Sequence, residues 1–315
     1  MYKDATILVT GGTGSWGVEL VQRLLTFHPK KVIIYSRNEK SQVESRRQMS
    51  DERLLFFIGD IRDKEALLTA TMNVDYIFHL AALKHVPVCE ENPVEAIKTN
   101  IMGTQNVINA AMENGVKKVI YVSTDKAADP ANTYGMTKAL GEKLILHASE
   151  QTTTTEFVCV RGGNVLGSSG SVLPIFQKQI DELKEVQITD KRMVRYFISH
   201  EEAITLLLKA THISKTGEIY VMHMDAFRII DLAEVLIEHS MKEDVKIIET
   251  GIRPGEKLEE VLIAEGEKSS AFILDEELIL ITPSASSLPP LLENSTGQLL
   301  TKDEIKTMLE KANLI

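Results

Sequence analysis

Through the first half of the chain, short apolar runs alternate with longer amphipathic stretches. The runs at residues 6–9, 32–35, 54–58, 76–80, 118–122 and 157–160 have the length and the Val, Ile, Phe and Tyr content of buried strands. Between them, residues 18–26, 39–49, 64–71, 93–114 and 134–149 carry apolar positions at helical spacing. Strand and helix in regular alternation predict an α/β fold, a Rossmann-like doubly wound parallel sheet with helices on both faces. After Arg161 the rhythm breaks. Gly162-Gly163-Asn164 and Gly167-Ser168-Ser169-Gly170-Ser171 form a polar, flexible run. Helices over 172–183, 201–210 and 230–238 then mix with short strands near 186–188 and 217–221. Arg253-Pro254-Gly255-Glu256-Lys257 reads as a turn, and the Ser/Pro-rich segment 284–290 as a loop. A short helix with Asp303 and Glu304 early in it closes the chain. The expected organisation is a Rossmann domain over residues 1–165 and a smaller mixed α/β substrate lobe over residues 166–315, segments of which can return to the first domain.

At 315 residues the chain is long enough for a full core and a second lobe. Its formal charge of -10 argues against a nucleic-acid groove, although a few Arg or Lys still suffice for an anionic ligand. Cys89 and Cys159 lie far apart in apolar surroundings. They read as buried free thiols of a reducing cytosol rather than a disulfide or metal pair, so no metal is expected. Asp4 interrupts the start, and no run of about 18 apolar residues follows. A cytoplasmic protein without a membrane partner is the expectation.

Gly11-Gly12-Thr13-Gly14-Ser15-Trp16-Gly17 follows the first predicted strand and opens the first helix. Glycines at 11, 14 and 17 permit a tight turn, close approach to a pyrophosphate and close helix–sheet packing. Gly11, Thr13, Gly14, Ser15, Trp16 and Gly17 are therefore candidate dinucleotide contacts, an ordinary turn being the plainer alternative. The second strand ends in Ser36-Arg37-Asn38, with Lys40 close behind, where a carboxylate would take the ribose 2′-hydroxyl of NAD. Hydroxyl and cation donors suit a 2′-phosphate, so NADP is the expected cofactor, against a solvated basic patch. Asp60-Ile61 would flank adenine, and Ala81-Ala82 would let backbone approach the cofactor. Lys84 and His85, in the following loop, are placed to reach cofactor or substrate; a structural role for His85 is equally open. His79 reads as core, and Asn100 as a brace for the active-site backbone or a packing residue.

Residues 123–138 carry the densest chemistry. Tyr134 and Lys138 stand four apart, on one face of a helix that starts near Tyr134. A tyrosine held beside an ammonium ionises below its reference value of roughly 10, which makes Tyr134 a candidate base for a sugar hydroxyl. Just upstream, Thr124, Asp125 and Lys126 offer a hydroxyl, an acid and an amine in succession. That surplus of acid and amine implies more than redox transfer alone. The plainer alternative for Asp125-Lys126 is a helix-capping carboxylate beside a solvated lysine.

Taken together, these features resemble the extended short-chain dehydrogenase/reductase family. Five further stretches narrow the resemblance: Ala81-Ala82-Leu83-Lys84-His85-Val86-Pro87, Thr99-Asn100-Ile101-Met102-Gly103-Thr104, Ser123-Thr124-Asp125-Lys126-Ala127, Gly167-Ser168-Ser169-Gly170-Ser171-Val172 and Gly251-Ile252-Arg253-Pro254-Gly255-Glu256-Lys257. They are similar to the soluble UDP-N-acetylglucosamine 4,6-dehydratases, and with Tyr134 present, to the inverting, 5-epimerising branch. Three positions depart from the family pattern. Gly162 replaces the tyrosine of Arg-Tyr-Gly-Asn, Ser169 the arginine of Gly-Ser-Arg-Gly-Ser, and Glu259 the histidine of Lys-Leu-His-Glu.

The resemblance implies that C4 of the sugar is oxidised as Tyr134 takes the O4 proton, with Thr124 on the same oxygen and Lys138 also binding the nicotinamide ribose. It further implies that Lys126 removes the acidified C5 proton while Asp125 protonates the departing 6-hydroxyl. Both roles need a neutral Lys126 and a protonated Asp125, and the pair is expected to share one proton. For the UDP moiety, Arg195 and Arg253 are candidate diphosphate or ribose contacts and Glu256 a ribose acceptor. Asn164, Val165, Ser171, Val172 and Pro174 would line the sugar and uracil side. Helices 93–114 and 134–149 would pair across a two-fold, giving a homo-oligomer. A retaining dehydratase, a UDP-sugar 4-epimerase, a 4-ketose reductase and, outside enzymes, a non-catalytic NADP-binding protein stay open as alternatives.

Overall fold

The computed structural model describes residues 1–168, 170–282, 289–290 and 297–315. The six apolar runs become parallel strands β1 (Thr6–Thr10), β2 (Lys31–Ser36), β3 (Leu54–Ile58), β4 (Tyr76–His79), β5 (Lys118–Thr124) and β6 (Glu156–Gly162), in spatial order β3-β2-β1-β4-β5-β6. This order reverses direction between β1 and β4, which opens a crevice at the carboxyl ends of the strands. Helices α1 (Ser15–Leu25), α2 (Glu39–Gln48), α3 (Lys64–Ala70), α4 (Val86–Glu91), α5 (Pro93–Ala96), α6 (Gly103–Glu113) and α7 (Thr133–Gln151) connect them. Their apolar faces close a core that includes Ile7, Leu8, Leu20, Phe78, Val119 and Phe157, all fully buried.

The remaining strands are β7 (Asn164–Val165), β8 (Glu185–Ile188), β9 (Val194–Ile198), β10 (Ile219–Met222), β11 (Asp225–Arg228), β12 (Lys246–Glu249), β13 (Ala271–Ile273) and β14 (Leu278–Ile281). Between and after them run α8 (Val172–Leu183), α9 (His200–Ile213), α10 (Ile229–Ser240) and α11 (Lys302–Lys311). The strand expected in the lobe near 217–221 takes another place: β10 pairs parallel with β6, and β14 and β13 add antiparallel beyond it, giving nine strands in the large sheet. Its residues are apolar throughout (Ile-Tyr-Val-Met, all buried), as suits a strand covered on both faces. A second core lies between α8, α10, α11 and the sheet β11-β9-β7, centred on stacked Phe197 and Phe227 rings 4.1 Å apart. The segment 284–288 and Ser169 lie outside the described residues. Among the described residues no helix is long and apolar enough to cross a membrane, and Cys89 and Cys159 are both buried and free.

The helix expected over 93–114 is interrupted. Ile97–Met102 forms a π-helical turn between α5 and α6. One extra residue per turn rotates Asn100 inward, where its amide accepts from Leu83 N (2.8 Å) and donates to Leu83 O (2.9 Å) and to Thr137 Oγ1 (2.9 Å). Asn100 is thus the brace that ties the β4–α4 loop to α7.

Candidate active site

A cavity of about 590 Å³ occupies the crevice at the β1/β4 reversal, a size that suits a cofactor or small ligand. Its floor is the loop between β1 and α1. Gly11 sits at φ +71°, and a Cβ there would stand 2.9 Å from Ala81 N; one at Gly17 would stand 2.5 Å from Gly12 Cα. Only glycine allows that crossing and that packing. Thr13, Gly14, Ser15 and Trp16 complete the floor at the N-terminus of α1. The residues therefore fit a dinucleotide.

Ser36, Arg37 and Asn38 reach the far end of the wall; Lys40 lies outside it, exposed and paired with Glu44. Asn38 also caps α2, its side chain accepting from Ser41 N at 3.0 Å. Gln42 fixes this corner by donating to Ser36 O, Ser36 Oγ and Phe57 O. Ile61 lines the wall, but Asp60 does not. Its carboxylate is gripped by Arg62 (2.6 and 2.9 Å) and lies 3.5 Å from Arg37. Burial pushes the Asp60 carboxyl up, but the Arg62 hydrogen bonds and the Arg37 charge outweigh it and leave it below the usual carboxylate range. An adenine contact through this carboxylate has to compete with both guanidinium groups.

Ala81, Ala82, Lys84 and His85 line the middle. Burial pushes the Lys84 ammonium down, and burial together with the Lys84 charge lowers His85. His79 is core, between the hydroxyls of Thr10 (2.7 Å) and Thr104 (3.0 Å), its ring pushed down to about 3 by burial and the Lys138 charge.

Thr124, Lys126, Tyr134 and Lys138 meet at the cavity. β5 runs on to Thr124, and Asn132 starts α7 by accepting from Gly135 N at 2.8 Å, which sets Tyr134 and Lys138 in the first turns. Lys138 Nζ donates to Val122 O at 2.7 Å and lies 3.8 Å above the Tyr121 ring. The expected lowering of Tyr134 is not found. Burial pushes its phenol up, the Asp125 charge adds to the rise, and the Thr124 hydroxyl opposes it. Burial also pushes Lys138 down to about 7 against the pull of Glu142 one turn on. A dry wall favours the neutral form of both groups, which the i, i+4 spacing could not show.

Asp125 is fully buried and lies behind the wall. Its Oδ1 accepts from Thr124 Oγ1 (2.8 Å), Lys126 N (2.9 Å) and Lys126 Nζ (3.0 Å), while Oδ2 is buried with no hydrogen-bond partner. The acid and the amine are therefore in contact.

On the lobe side, Asn164, Val165 and Ser171 line the cavity. The Asn164 amide donates to Tyr196 O, and Ser171 Oγ is buried without a partner. Val172, Pro174, Arg195, Arg253 and Glu256 lie off the wall. Arg195 is committed elsewhere: its guanidinium donates to Val194 O, Leu258 O and Lys257 O. Glu256 accepts from Arg253 N at 3.0 Å and so closes the turn that carries both. Glu259 is exposed. Gly162 faces the Trp16 ring: a Cβ would stand 3.3 Å from Trp16 Cη2 and 3.2 Å from Met222 Sδ, so a tyrosine here would require Trp16 to move.

Sequence reasoning missed several residues. Thr99 and Ser123 line the cavity with buried hydroxyls that have no partner. Both lie inside the motifs at 99–104 and 123–127, and only the fold leaves their hydroxyls orphaned. Glu260 is buried, with Oε1 3.9 Å from Lys126 Nζ. Arg161, fully buried, grips Glu142 (2.7 and 3.1 Å) and Glu267 (2.9 and 3.0 Å) and donates to Leu262 O. No local spacing signals these long-range pairs.

A family model described as "Polysaccharide biosynthesis protein" matches residues 7–281. A Campylobacter jejuni protein named UDP-N-acetylglucosamine 4,6-dehydratase (inverting) is 45% identical over 288 residues, covering 90% of this chain and 84% of its own length. A Rickettsia felis protein named UDP-glucose 4-epimerase is 42% identical over 278 residues, covering 86% of this chain and 81% of its own. The X-ray structure of Pen from Bacillus thuringiensis superposes with a TM-score of 0.92 at 39% identity, covering 98% of this chain and 99% of that one.

Proposed function

The chain belongs to the polysaccharide biosynthesis protein family of extended short-chain dehydrogenases/reductases, and we propose that it dehydrates UDP-N-acetylglucosamine across C5 and C6 with inversion at C5. The observation that carries this reading is the buried acid–amine contact, Asp125 Oδ1 to Lys126 Nζ at 3.0 Å, beside the cavity that Tyr134 and Lys138 also line. The inverting dehydratase name of the Campylobacter relative supports it.

Gly11, Gly14, Gly17, Ser36, Arg37 and Lys138 would hold the cofactor, and the hydroxyl and guanidinium at the end of β2 favour NADP. Bound there, it would supply a two-electron acceptor for C4 and a hydride donor for C6. Tyr134 exchanges the O4 proton, with the Thr124 hydroxyl on the same oxygen. The 4-ketone acidifies C5–H. Lys126 takes that proton, Asp125 gives one to the departing 6-hydroxyl, and C5 takes a proton on its other face once C6 is reduced. Nothing is consumed but the sugar, and one water leaves.

The Rickettsia name favours a second reading, 4-epimerisation. That reaction needs the Tyr134 proton exchange but no elimination, which leaves Asp125 and Lys126 without a task. The test is incubation of purified protein with UDP-N-acetylglucosamine and NADP, followed by mass spectrometry and nicotinamide absorbance. A product lighter by one water with no net absorbance change is expected. A product of unchanged mass but C4-inverted configuration selects the epimerase, and net NADPH formation with a 4-keto product two hydrogens lighter selects a reductase running in reverse.

A further inference from the structure

The acid–amine pair has a third member that the proposed chemistry does not use. Glu260 brings Oε1 to 3.9 Å from Lys126 Nζ, and its side chain is 5% exposed. Lys126 Nζ therefore meets two carboxylates, Asp125 and Glu260. The segment carrying Glu260 is clamped on both sides. Ahead of it, Asn132 Nδ2 donates to Gly255 O at 3.0 Å, Lys257 Nζ donates to Asp129 O and Oδ2, and Arg195 donates to Lys257 O and Leu258 O. Behind it, Arg161 Nη1 donates to Leu262 O at 2.9 Å and to Glu267 Oε2 at 2.9 Å. Two of the anchors, Asn132 and Asp129, belong to the loop between Lys126 and α7. The backbone around Glu260 is thus tied to the same loop that positions the catalytic amine.

We propose that Glu260 is a positioning residue that holds the Lys126 amine toward the cavity and stabilises the charge that arrives there. This rests on the reading of Lys126 as the C5 base. An anion about 4 Å from an amine in a partly desolvated site favours the ammonium, so it stabilises the charge that develops as the C5 proton arrives. The charged groups facing Glu260 are Lys126, Asp125, Arg195 and Lys257. Burial pushes its carboxyl up, the Lys126, Arg195 and Lys257 charges pull it down, Asp125 pushes it up again, and the net direction is up.

The test is the rate of C5 deuterium exchange in Glu260→Gln, which keeps size and removes charge. Without the anion the charge arriving on Lys126 is less stabilised and the amine is held less firmly, so kcat for exchange falls about tenfold. KM for the UDP-sugar stays within about twofold, since the proposed role is in the proton transfer rather than in binding. Glu260→Asp, which keeps the charge but draws it back, recovers part of that rate. Quenching of Trp16, the chain's one tryptophan and part of the cavity floor, by bound NADPH reports that each variant is folded. A folded Glu260→Gln that exchanges C5 at the wild-type rate overturns the role, as does a Glu260→Asp no faster than Glu260→Gln or a rise in KM that accounts for the loss. A wild-type protein that never exchanges C5 overturns the Lys126 reading and this inference with it; normal wild-type exchange confines any failure to Glu260.

Discussion

Lys126 and Lys138 are both lysines at one cavity, yet their surroundings give them different work. Lys126 contacts two carboxylates, whereas Lys138 Nζ has a carbonyl and an aromatic face. Replacing Lys126 by Ala should leave UDP-sugar binding within about threefold and remove C5 deuterium incorporation, because the proposed base acts after C4 oxidation; calorimetry and NMR check the two halves. Wild-type exchange in that variant would end its role. For Lys138 the depressed value of about 7 has a stability consequence. In the unfolded chain the amine ionises near its ordinary value of roughly 10.4. Below pH about 7 it is charged in both states, and the folded protein bears the full cost of burying the charge. As the pH rises from there the folded amine loses its proton first, and the cost fades. Lys138→Met should therefore stabilise the fold more at about pH 6 than at about pH 9, read from urea midpoints; an equal gain at both would mean the buried amine is not perturbed in this way.

At the scale of elements, most of the Rossmann half was legible because its strands are apolar runs and its helices begin at capping residues such as Asn38, Asp63 and Asn132. The glycine loop was legible for the same reason: Gly11 and Gly17 are required by close backbone crossings, and a single sequence records such a requirement directly. Three features were not legible. The π turn at Ile97–Met102 depends on what Asn100 bonds to across the cleft, not on the pattern around it. β10 joins the large sheet because its buried residues pair with Cys159, Val160 and Arg161, a long-range choice. In Glu259-Glu260 nothing local says which glutamate turns inward. Arg161 belongs to this scale, since it joins β6, α7 and the segment behind Glu260. Arg161→Met would leave Glu142 and Glu267 without their buried counter-charge, and a loss of about 3–5 kcal/mol in chemical denaturation is expected. A loss below about 1 kcal/mol would show that the network is not a structural anchor.

Across the whole molecule, α5, the π turn and α7 expose Val94, Ile97, Met102, Met136 and Leu140. Exposed apolar side chains on neighbouring helices support the expected two-fold pairing of these helices in a homo-oligomer. Light scattering should give an oligomer mass for the wild type and a lower mass for Met136→Glu/Leu140→Glu; an unchanged mass after the double change would move the interface elsewhere. The proposed dehydration belongs to the cavity where Thr124, Lys126, Tyr134 and Lys138 meet. Running the reaction on UDP-N-acetylglucosamine in D2O and reading C5 of the product by NMR tests it. The expected product is a 4-keto-6-deoxy sugar with deuterium at C5 and inverted configuration there. Unchanged sugar, or sugar altered only at C4, would contradict it.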